Sequence, residues 1–357
     1  MQSPLRPAEH FWVDLYTFLL ENGYRLRSRY NPNWKPSWLL QKRRSSKKRF
    51  EDGFPALYDK LMDAVRVRDG KKVILRRVDL QEDNSVPILN YLNSPELLAD
   101  SRNKAVPLLD VISLDSNEAL IVMPMLHPFN SVECHFQYIS DVVEAFEQFL
   151  QGLVFLHEHR IAHRFMTYLR DACYFNLMVD PTKLCPGGFH FGDPRYRDDL
   201  QTRSKWLERR SVAPLNYYFI DFEMAEYFPP GPDNRLCLGF YGQNKDVPEM
   251  SLTVPYDPFK LDVFQLGGAM GDLIELKDNK EYDGLDFFLP LSNMMQLRDP
   301  DKRPTAAEAY EMFWDMVAQL SDAELSRHIW PSHWPPALRK LQRPRDTLWK
   351  RLKSLLC

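Results

Sequence analysis

The chain has 357 residues, of which 44% are hydrophobic and 27% are charged. Enough apolar side chains are present to form a core, which excludes a disordered chain. The formal net charge of −3 supplies no general attraction to nucleic acid or acidic lipid, so no nucleic-acid partner is expected. The five cysteines include no C-x-x-C pair, and we therefore predict neither a zinc site nor a disulfide framework.

The sequence contains no run of ~18 apolar residues, the length that a membrane-spanning helix requires. Its first residues also lack the long uncharged apolar segment of a signal peptide. Scattered, unpaired cysteines are typical of a reducing compartment. We therefore expect an intracellular protein, cytoplasmic or nuclear, without a membrane span.

The N-terminal third is predicted to be rich in strands, with one helix before them. Residues 9–21 place apolar side chains at helical spacing, and Asn22 and Gly23 supply a stop. Residues 30–38, rich in Pro and Trp, predict an irregular loop. Residues 42–49 form a basic run that we interpret as a solvated loop, with nuclear import and phosphate binding as the alternatives. Strands are expected at 71–78, 106–112 and 119–123, and a short helix at 88–92.

The remainder of the chain is predicted to be mainly helical, an order that indicates the α+β class. Residues 138–160 carry a continuous apolar face and predict a long amphipathic helix. Residues 180–216 are rich in Pro, Gly, Arg and Asp, and they predict a long surface loop inserted between two short strands. Residues 344–356 predict a basic amphipathic helix that caps the domain or, alternatively, binds a membrane surface or a partner.

The most specific motif lies within residues 161–180. His163 and Arg164 are separated from Asp171 by six residues, 165–170, and four residues then separate Asp171 from Asn176. This is the pattern H-R-D-x-x-x-x-N, interrupted after its second position. Two alternatives stay open: residues 170 and 171 form the R-D pair with the insertion upstream, or the six residues are an error in the assembly of the coding sequence.

A second motif follows an apolar strand at residues 217–220. It consists of Asp221, Phe222 and Glu223, with Glu in the place of the Gly of D-F-G. A carboxylate that a strand delivers into a cleft is a hard oxygen ligand for Mg²⁺. Glu223 beside it either recruits a further cation or repels ATP.

Three further elements follow in the order in which protein kinases carry them. They are Glu249 within Val-Pro-Glu, Asp262 in an apolar helix, and Arg303 before a proline. Because it carries all of these motifs, the chain resembles the protein kinase superfamily, and within it a group of fungal protein-kinase-like proteins. The resemblance implies that Asp262 binds the backbone of the catalytic loop. It also implies a structural ion pair between Glu249 and Arg303, because a buried charge needs its partner.

The resemblance covers about residues 55–320 and implies a bilobal protein-kinase-like fold. Its small β-rich N-lobe would span about 55–124 and its larger, mainly α-helical C-lobe about 125–320. An N-terminal extension, 1–54, with a helix and the basic loop would precede it. A basic tail, 321–357, would follow.

The N-lobe departs from the kinase pattern at three points. Arg76 stands where the kinase V-A-I-K strand has Lys, and its planar fork does not replace a compact ammonium freely. Ser85 stands at the position of the Glu that pairs with that Lys. No G-x-G-x-x-G precedes the strand, since Gly53 is the only Gly between residues 24 and 69. A tight glycine loop that cradles phosphates is therefore not encoded.

The resemblance assigns a role to each candidate site residue. Asp171 would orient the substrate hydroxyl and accept its proton, with Arg76 and Asn176 completing the catalytic set. Asn176 and Asp221 would bind Mg²⁺, and Asn176 is alternatively a turn residue. Arg76 contacts phosphate or, equally, forms a salt bridge across the N-lobe. The nucleotide-binding residues that the resemblance implies are Arg76, Asp221, Met123 and Met125.

Two functional hypotheses follow, both with ATP and Mg²⁺ as the expected cofactors. The first is a pseudokinase or weakly active kinase that acts through protein partners. The second is an active Ser/Thr kinase that transfers the γ-phosphate of ATP to protein hydroxyls. The first is favoured because the Gly loop, the Lys, its Glu partner and the D-F-G Gly are all altered, and catalysis depends on positioning them together. A small-molecule phosphotransferase is a weaker third interpretation.

Overall fold

The structure, a computed structural model, describes residues 5–39, 50–164, 176–231, 236–239, 247–274 and 282–332. Within these ranges the strands are β1 (Tyr24–Leu26), β2 (Leu61–Arg66), β3 (Lys72–Asp79), β4 (Asp110–Ser113), β5 (Glu118–Pro124), β6 (His127–Pro128), β7 (Ile161–Ala162), β8 (Leu177–Val179), β9 (Tyr217–Phe219), β10 (Glu226–Tyr227), β11 (Cys237–Gly239) and β12 (Ser251–Tyr256). The helices are α1 (Glu9–Asp14), α2 (Tyr16–Glu21), α3 (Ser85–Leu92), α4 (Pro95–Leu98), α5 (Ile139–Glu158), α6 (Arg209–Val212), α7 (Pro258–Ile274), α8 (Leu289–Met295), α9 (Ala306–Val317) and α10 (Asp322–Leu325). The predicted α+β class is confirmed.

A five-stranded sheet in the order β1-β2-β3-β5-β4 dominates the N-terminal part of the chain. All neighbouring strands are antiparallel. Because side chains alternate along a strand, β3 divides its residues between two sides. Val73 and Leu75 pack into a core with Trp12 of α1. Ile74 and Arg76 lie on the other face of the sheet, where Ile74 packs with Phe189 and Arg76 contacts Asp221.

The C-terminal part is mainly helical and is built around α5. The Asp141 carboxylate begins this helix by accepting hydrogen bonds from the backbone N–H groups of Gln137 and Tyr138, both at 3.0 Å. Its apolar face, including Phe146 and Phe149, is buried in the largest core, which α7, α8 and α9 complete. Two short antiparallel sheets, β6-β8-β9 and β7-β10, contribute residues to this core.

Most of the predicted elements are confirmed, with differences at their bounds. The helix predicted at 9–21 is interrupted at Leu15, which ends α1 and begins α2. The strand predicted at 106–112 begins only at Asp110, because Val106 donates its N–H to the Phe219 carbonyl of β9 instead. The predicted basic segments 42–49 and 344–356 lie outside the described residues.

The prediction that residues 180–216 lie at the surface is wrong in part. They do join β8 to β9, as expected, and they are largely irregular. However, Cys185, Phe189, His190 and Arg209 are buried. The composition of the segment concealed this, since a few large side chains among many polar ones can anchor it. Within the described ranges, every helix is too short or too polar to span a bilayer.

Candidate functional site

The central side chain of the candidate site is Arg76, which β3 points toward β9 and the residues after it. Its Nη1 donates to the Asp83 carboxylate at 2.8 Å and to the Ser85 hydroxyl at 3.0 Å. Its Nη2 contacts the carboxylates of Asp221 at 3.3 Å and Glu223 at 2.5 Å. Of the two interpretations of Arg76, the salt bridge is therefore the one present. It joins β3, the start of α3 and the segment after β9.

Asp83 is the partner that the sequence reasoning missed. It lies two residues before Ser85, and its Oδ1 accepts the backbone N–H of Ser85 at 2.8 Å while its Oδ2 accepts from Arg76. The available signal was a carboxylate at the start of a helix, next to the position where a Glu was sought. Ser85 itself is in contact with Arg76, as its predicted position requires.

The backbone at Asp221 has φ +66°, in the left-handed region that Gly adopts readily and that other residues adopt uncommonly, Asp more often than most. Such a conformation persists only where the surroundings impose it, and it concentrates at functional sites. Here Phe222 is buried against the His163 ring at 4.5 Å between centroids. The Glu223 carbonyl accepts the backbone N–H of Asn84 at 3.1 Å, so both residues that follow Asp221 are anchored.

Asn176 lies at the start of β8, and Asp221 lies two residues after the end of β9. The pairing of Leu177 with Phe219 brings these two strand ends together, and the Asn176 carbonyl accepts the backbone N–H of Ile220 at 3.1 Å. The two residues that we predicted as Mg²⁺ ligands are therefore neighbours. Asp171, the predicted base, lies outside the described residues.

Burial raises the pKa of Asp221 above its ordinary value, Arg76 opposes this rise, and the Glu223 carboxylate adds to it. Burial lowers the pKa of His163 to about 4, so its imidazole is neutral at physiological pH. A neutral, fully buried ring in contact with Phe222 has a packing role. Among the residues that the structure describes, no three His, Cys, Asp or Glu side chains are grouped as a metal site.

Asp262 of α7 holds the backbone before the insertion. Its fully buried carboxylate accepts the N–H groups of His163 at 2.8 Å and Arg164 at 2.6 Å, and it contacts His157 Nε2 at 3.0 Å. The role that we predicted for Asp262 is confirmed. Arg164, with φ +55°, then donates its Nε to the Met224 carbonyl at 2.7 Å.

The predicted ion pair between Glu249 and Arg303 is also confirmed. Both guanidinium nitrogens Nη1 and Nη2 contact the carboxylate, the second at 2.8 Å, and the Arg303 side chain is fully buried. Arg303 further donates Nε to the Leu297 carbonyl at 2.6 Å and Nη1 to the Lys260 carbonyl at 3.1 Å. A buried charge with this many partners is structural, since it leaves no group for chemistry.

The two methionines of the predicted nucleotide site are both buried. Met123 belongs to the main core, while Met125 packs with Ile74, Cys185 and Phe189 in a small separate cluster. Phe189 comes from the segment between β8 and β9. The surface that Ile74 and Met125 would present to a ligand is therefore already covered by the chain itself, which the sequence did not indicate.

No protein-family model matches this chain, and no curated protein matches it. The kinase resemblance thus depends on the motifs and on the contacts that their residues make. Two of those contacts are specific predictions that the structure bears out: Asp262 to the loop backbone, and Glu249 to Arg303.

Proposed function

We propose that this chain is a protein-kinase-like pseudokinase that acts through protein partners inside the cell. The proposal assigns the five-stranded sheet with α3 to a small lobe and the helices around α5 to a larger one, with Asp221 between them. It is supported by the contacts of Asp262 and Arg303, which tie the elements of the larger lobe together in the kinase order.

The observation that carries the proposal is that other side chains of the protein already surround the Arg76 guanidinium. In a working kinase the cation on this strand binds ATP phosphates. Here its terminal nitrogens, Nη1 and Nη2, already contact Asp83, Ser85, Asp221 and Glu223. Three carboxylates around one guanidinium also make the surroundings negative, which opposes a triphosphate unless cations compensate.

A second observation points the same way. Met125 and Ile74 are buried under Phe189 and Cys185, so an adenine ring would have to displace part of the chain. Both the polar and the apolar contacts of a nucleotide are thus replaced by internal ones. Because phosphoryl transfer depends mainly on positioning, such losses compound.

One observation favours the alternative, an active Ser/Thr kinase. Asn176 and Asp221 lie side by side at the ends of β8 and β9, and amide and carboxylate oxygens are hard donors that suit Mg²⁺. In that case Mg²⁺ would bridge the phosphates, and Glu223 would release Arg76 to the nucleotide. Asp171 would then accept the proton of the substrate hydroxyl.

Phosphate transfer decides between these proposals. The protein is incubated with radiolabelled Mg-ATP, alone and with a generic protein substrate, beside Asp221→Asn and the exposed control Asp315→Asn. We expect no incorporation in any of them. Incorporation that Asp221→Asn removes and Asp315→Asn leaves unchanged would establish the active kinase instead.

A thermal-shift titration with ATP, with and without Mg²⁺, adds the binding information. We expect no stabilisation by ATP, because its phosphates meet the carboxylates around Arg76. A variant that lacks residues 165–170 is run in parallel. Restoring the continuous loop motif should not produce transfer, since Arg76 and its partners lie outside it.

A further inference from the structure

A cavity of about 330 Å³ lies against β1, β2 and the start of β3. One side of it is a row of three residues that pair across these strands, Arg25, Val65 and Lys72. Paired residues lie on the same face of a sheet, so the row forms a continuous floor. Lys72 precedes Arg76 by four residues, which is roughly 13 Å along a strand. The cavity is therefore a different place from the candidate site around Arg76.

Two segments that carry none of the kinase-like motifs supply most of the other charged walls. Residues 1–54 contribute Arg27 and Glu51, and the segment between β8 and β9 contributes His190 and Asp198. The resemblance to protein kinases therefore implies nothing about what this cavity holds, and its ligand has to be inferred from the groups that line it.

Four of the charged groups on the walls neutralise each other in pairs. The Arg27 Nε atom lies 3.1 Å from the Asp63 carboxylate, and Lys72 Nζ forms an ion pair with the Asp198 carboxylate. Lys72 also donates to the Phe189 carbonyl at 2.7 Å. These pairs hold the two added segments against the sheet, and they leave no net charge for a ligand.

Two further charged groups of opposite sign are left over. The Glu51 carboxylate lies 3.6 Å from Arg27 Nε, which is closer to Asp63, and its Oε1 atom is buried without a hydrogen bond. Arg25 is exposed, and among the residues that the structure describes it has no ion-pair partner. The cavity thus offers one unmatched carboxylate and one unmatched guanidinium.

His190 adds an unmatched hydrogen-bond donor. Its Nδ1 accepts the backbone N–H of Gly192 at 3.1 Å, and burial lowers its pKa to about 4. The ring is therefore neutral, with its proton on Nε2. His190 is only 1% exposed, and within the described part of the chain its Nε2 has no hydrogen-bond partner. A buried donor without a partner costs free energy, which a ligand with an acceptor atom would restore.

We propose that this cavity binds a free α-amino acid. The ammonium group of the ligand pairs with Glu51 Oε1, and its carboxylate pairs with Arg25 and accepts the N–H of His190. A simple anion would meet Glu51 without compensation, and a simple cation would meet Arg25, whereas a zwitterion matches both. Pockets for small molecules span ~300–1,000 Å³, and a cavity at the lower end suits a ligand of this size.

Glu51 gives the proposal independent support. Burial raises its pKa to about 7, the nearby carboxylates of Asp63, Asp52 and Asp198 add to this rise, and Arg27 opposes it. The ionised carboxylate therefore destabilises the folded chain at neutral pH. A perturbed acid in a cavity is typical of a functional site, and the ammonium group of a ligand supplies the cation that this carboxylate lacks.

Binding is measured on the full chain by saturation-transfer NMR with each of the twenty common amino acids in turn, followed by calorimetric titration of those that bind. We expect at least one of them to bind. Its amide, which lacks the carboxylate, and its N-acetyl derivative, which lacks the ammonium group, should each bind about tenfold more weakly, as expected for the loss of one charge-assisted contact.

Two variants connect this binding to the cavity. Glu51→Gln and Arg25→Met should each raise the Kd of the amino acid about tenfold. The matched controls Glu96→Gln and Arg298→Met change exposed residues elsewhere in the chain and should leave the Kd unchanged. Because Glu51→Gln removes a destabilising charge, it should be at least as stable as the wild type at neutral pH, so its loss of binding does not arise from unfolding.

Three results would overturn the inference. If none of the twenty amino acids binds, the cavity is not a site for them. Binding that is unchanged in Glu51→Gln or in Arg25→Met places the ligand elsewhere. An amide or an N-acetyl derivative that binds as tightly as the amino acid shows that no zwitterion is recognised. None of these results depends on phosphate transfer, so failure of the inference and failure of the pseudokinase proposal are distinguishable.

Discussion

Replacing Arg76 by Met tests whether this residue is a structural tie. The expected loss of stability comes mainly from Asp83, whose side chain is only 6% exposed. A buried carboxylate that loses its guanidinium costs about 3–5 kcal/mol. Asp221 and Glu223 are more exposed than Asp83, at 29% and 37%, so the loss of Arg76 costs less at these two carboxylates. We therefore expect Arg76→Met to lower the free energy of unfolding by about 3–4 kcal/mol.

Urea unfolding followed by tryptophan fluorescence measures this change. Arg77→Met is the control on the same strand, since the Arg77 side chain is 37% exposed, pairs with Glu118 and lies over the Phe11 ring. Its loss should cost only about 1 kcal/mol. Adding Asp83→Asn to Arg76→Met should then recover about 1–3 kcal/mol, because the unpaired charge is gone.

The reasoning would be refuted by either of two outcomes. If Arg76→Met is no more destabilising than Arg77→Met, the contacts around Arg76 are not structural. If Asp83→Asn recovers nothing in the Arg76→Met background, the cost does not arise from the buried carboxylate. In either case Arg76 would again be a candidate for binding phosphate.

Three further predictions concern the structural contacts and the pH dependence of stability. Asp262→Asn places an amide NH₂ against a backbone N–H, so the free energy of unfolding in urea should fall by about 3 kcal/mol. The exposed control Asp315→Asn should leave it almost unchanged. Arg303→Met leaves Glu249 buried without its partner and should cost about 3–5 kcal/mol, of which Glu249→Gln in the same chain should return part; an additive double variant would contradict the pairing. Burial raises the pKa of Glu51 from 4.5 to about 7, against the opposing effect of Arg27. Its protonated form is therefore favoured in the folded state, and this stabilisation is complete below pH 4.5 and is lost as the pH rises toward 7. Glu51→Gln should match the wild type near pH 4.5 and exceed it by up to about 3 kcal/mol above pH 7; an equal difference at every pH would contradict the assignment.

Local patterns were sufficient for much of the fold. Helix α5 follows from its apolar face, and β3 follows from the turn at Asp69 and Gly70, because both depend on periodicity and turn chemistry. Motif order was sufficient for Asp262 and for the pair of Glu249 and Arg303. A buried charge requires a defined partner, so recognising the motif of one charged residue also predicts the group that pairs with it.

The candidate site was less predictable, since its contacts join distant segments. Sequence reasoning placed Arg76 and Asp221 near each other but not Asp83, because the motif called for a Glu on the helix and Asp83 precedes it. Met125 was assigned to a nucleotide, whereas Phe189 covers it. The segment 180–216, which contains Phe189, has no hydrophobic periodicity, so nothing local reveals which of its side chains are buried.

The sequence by itself determined the α+β class, the order of the motifs and the absence of a glycine loop before β3, since each is written in residue type and spacing. Only the tertiary structure decided which groups surround Arg76. The four contacts of Arg76 and the ion pair between Lys72 and Asp198 join segments far apart in the chain, and the burial of Phe189 depends on where its segment returns to the sheet. Such contacts are selected by packing and by the need to pair buried charges, which act on the folded chain as a whole.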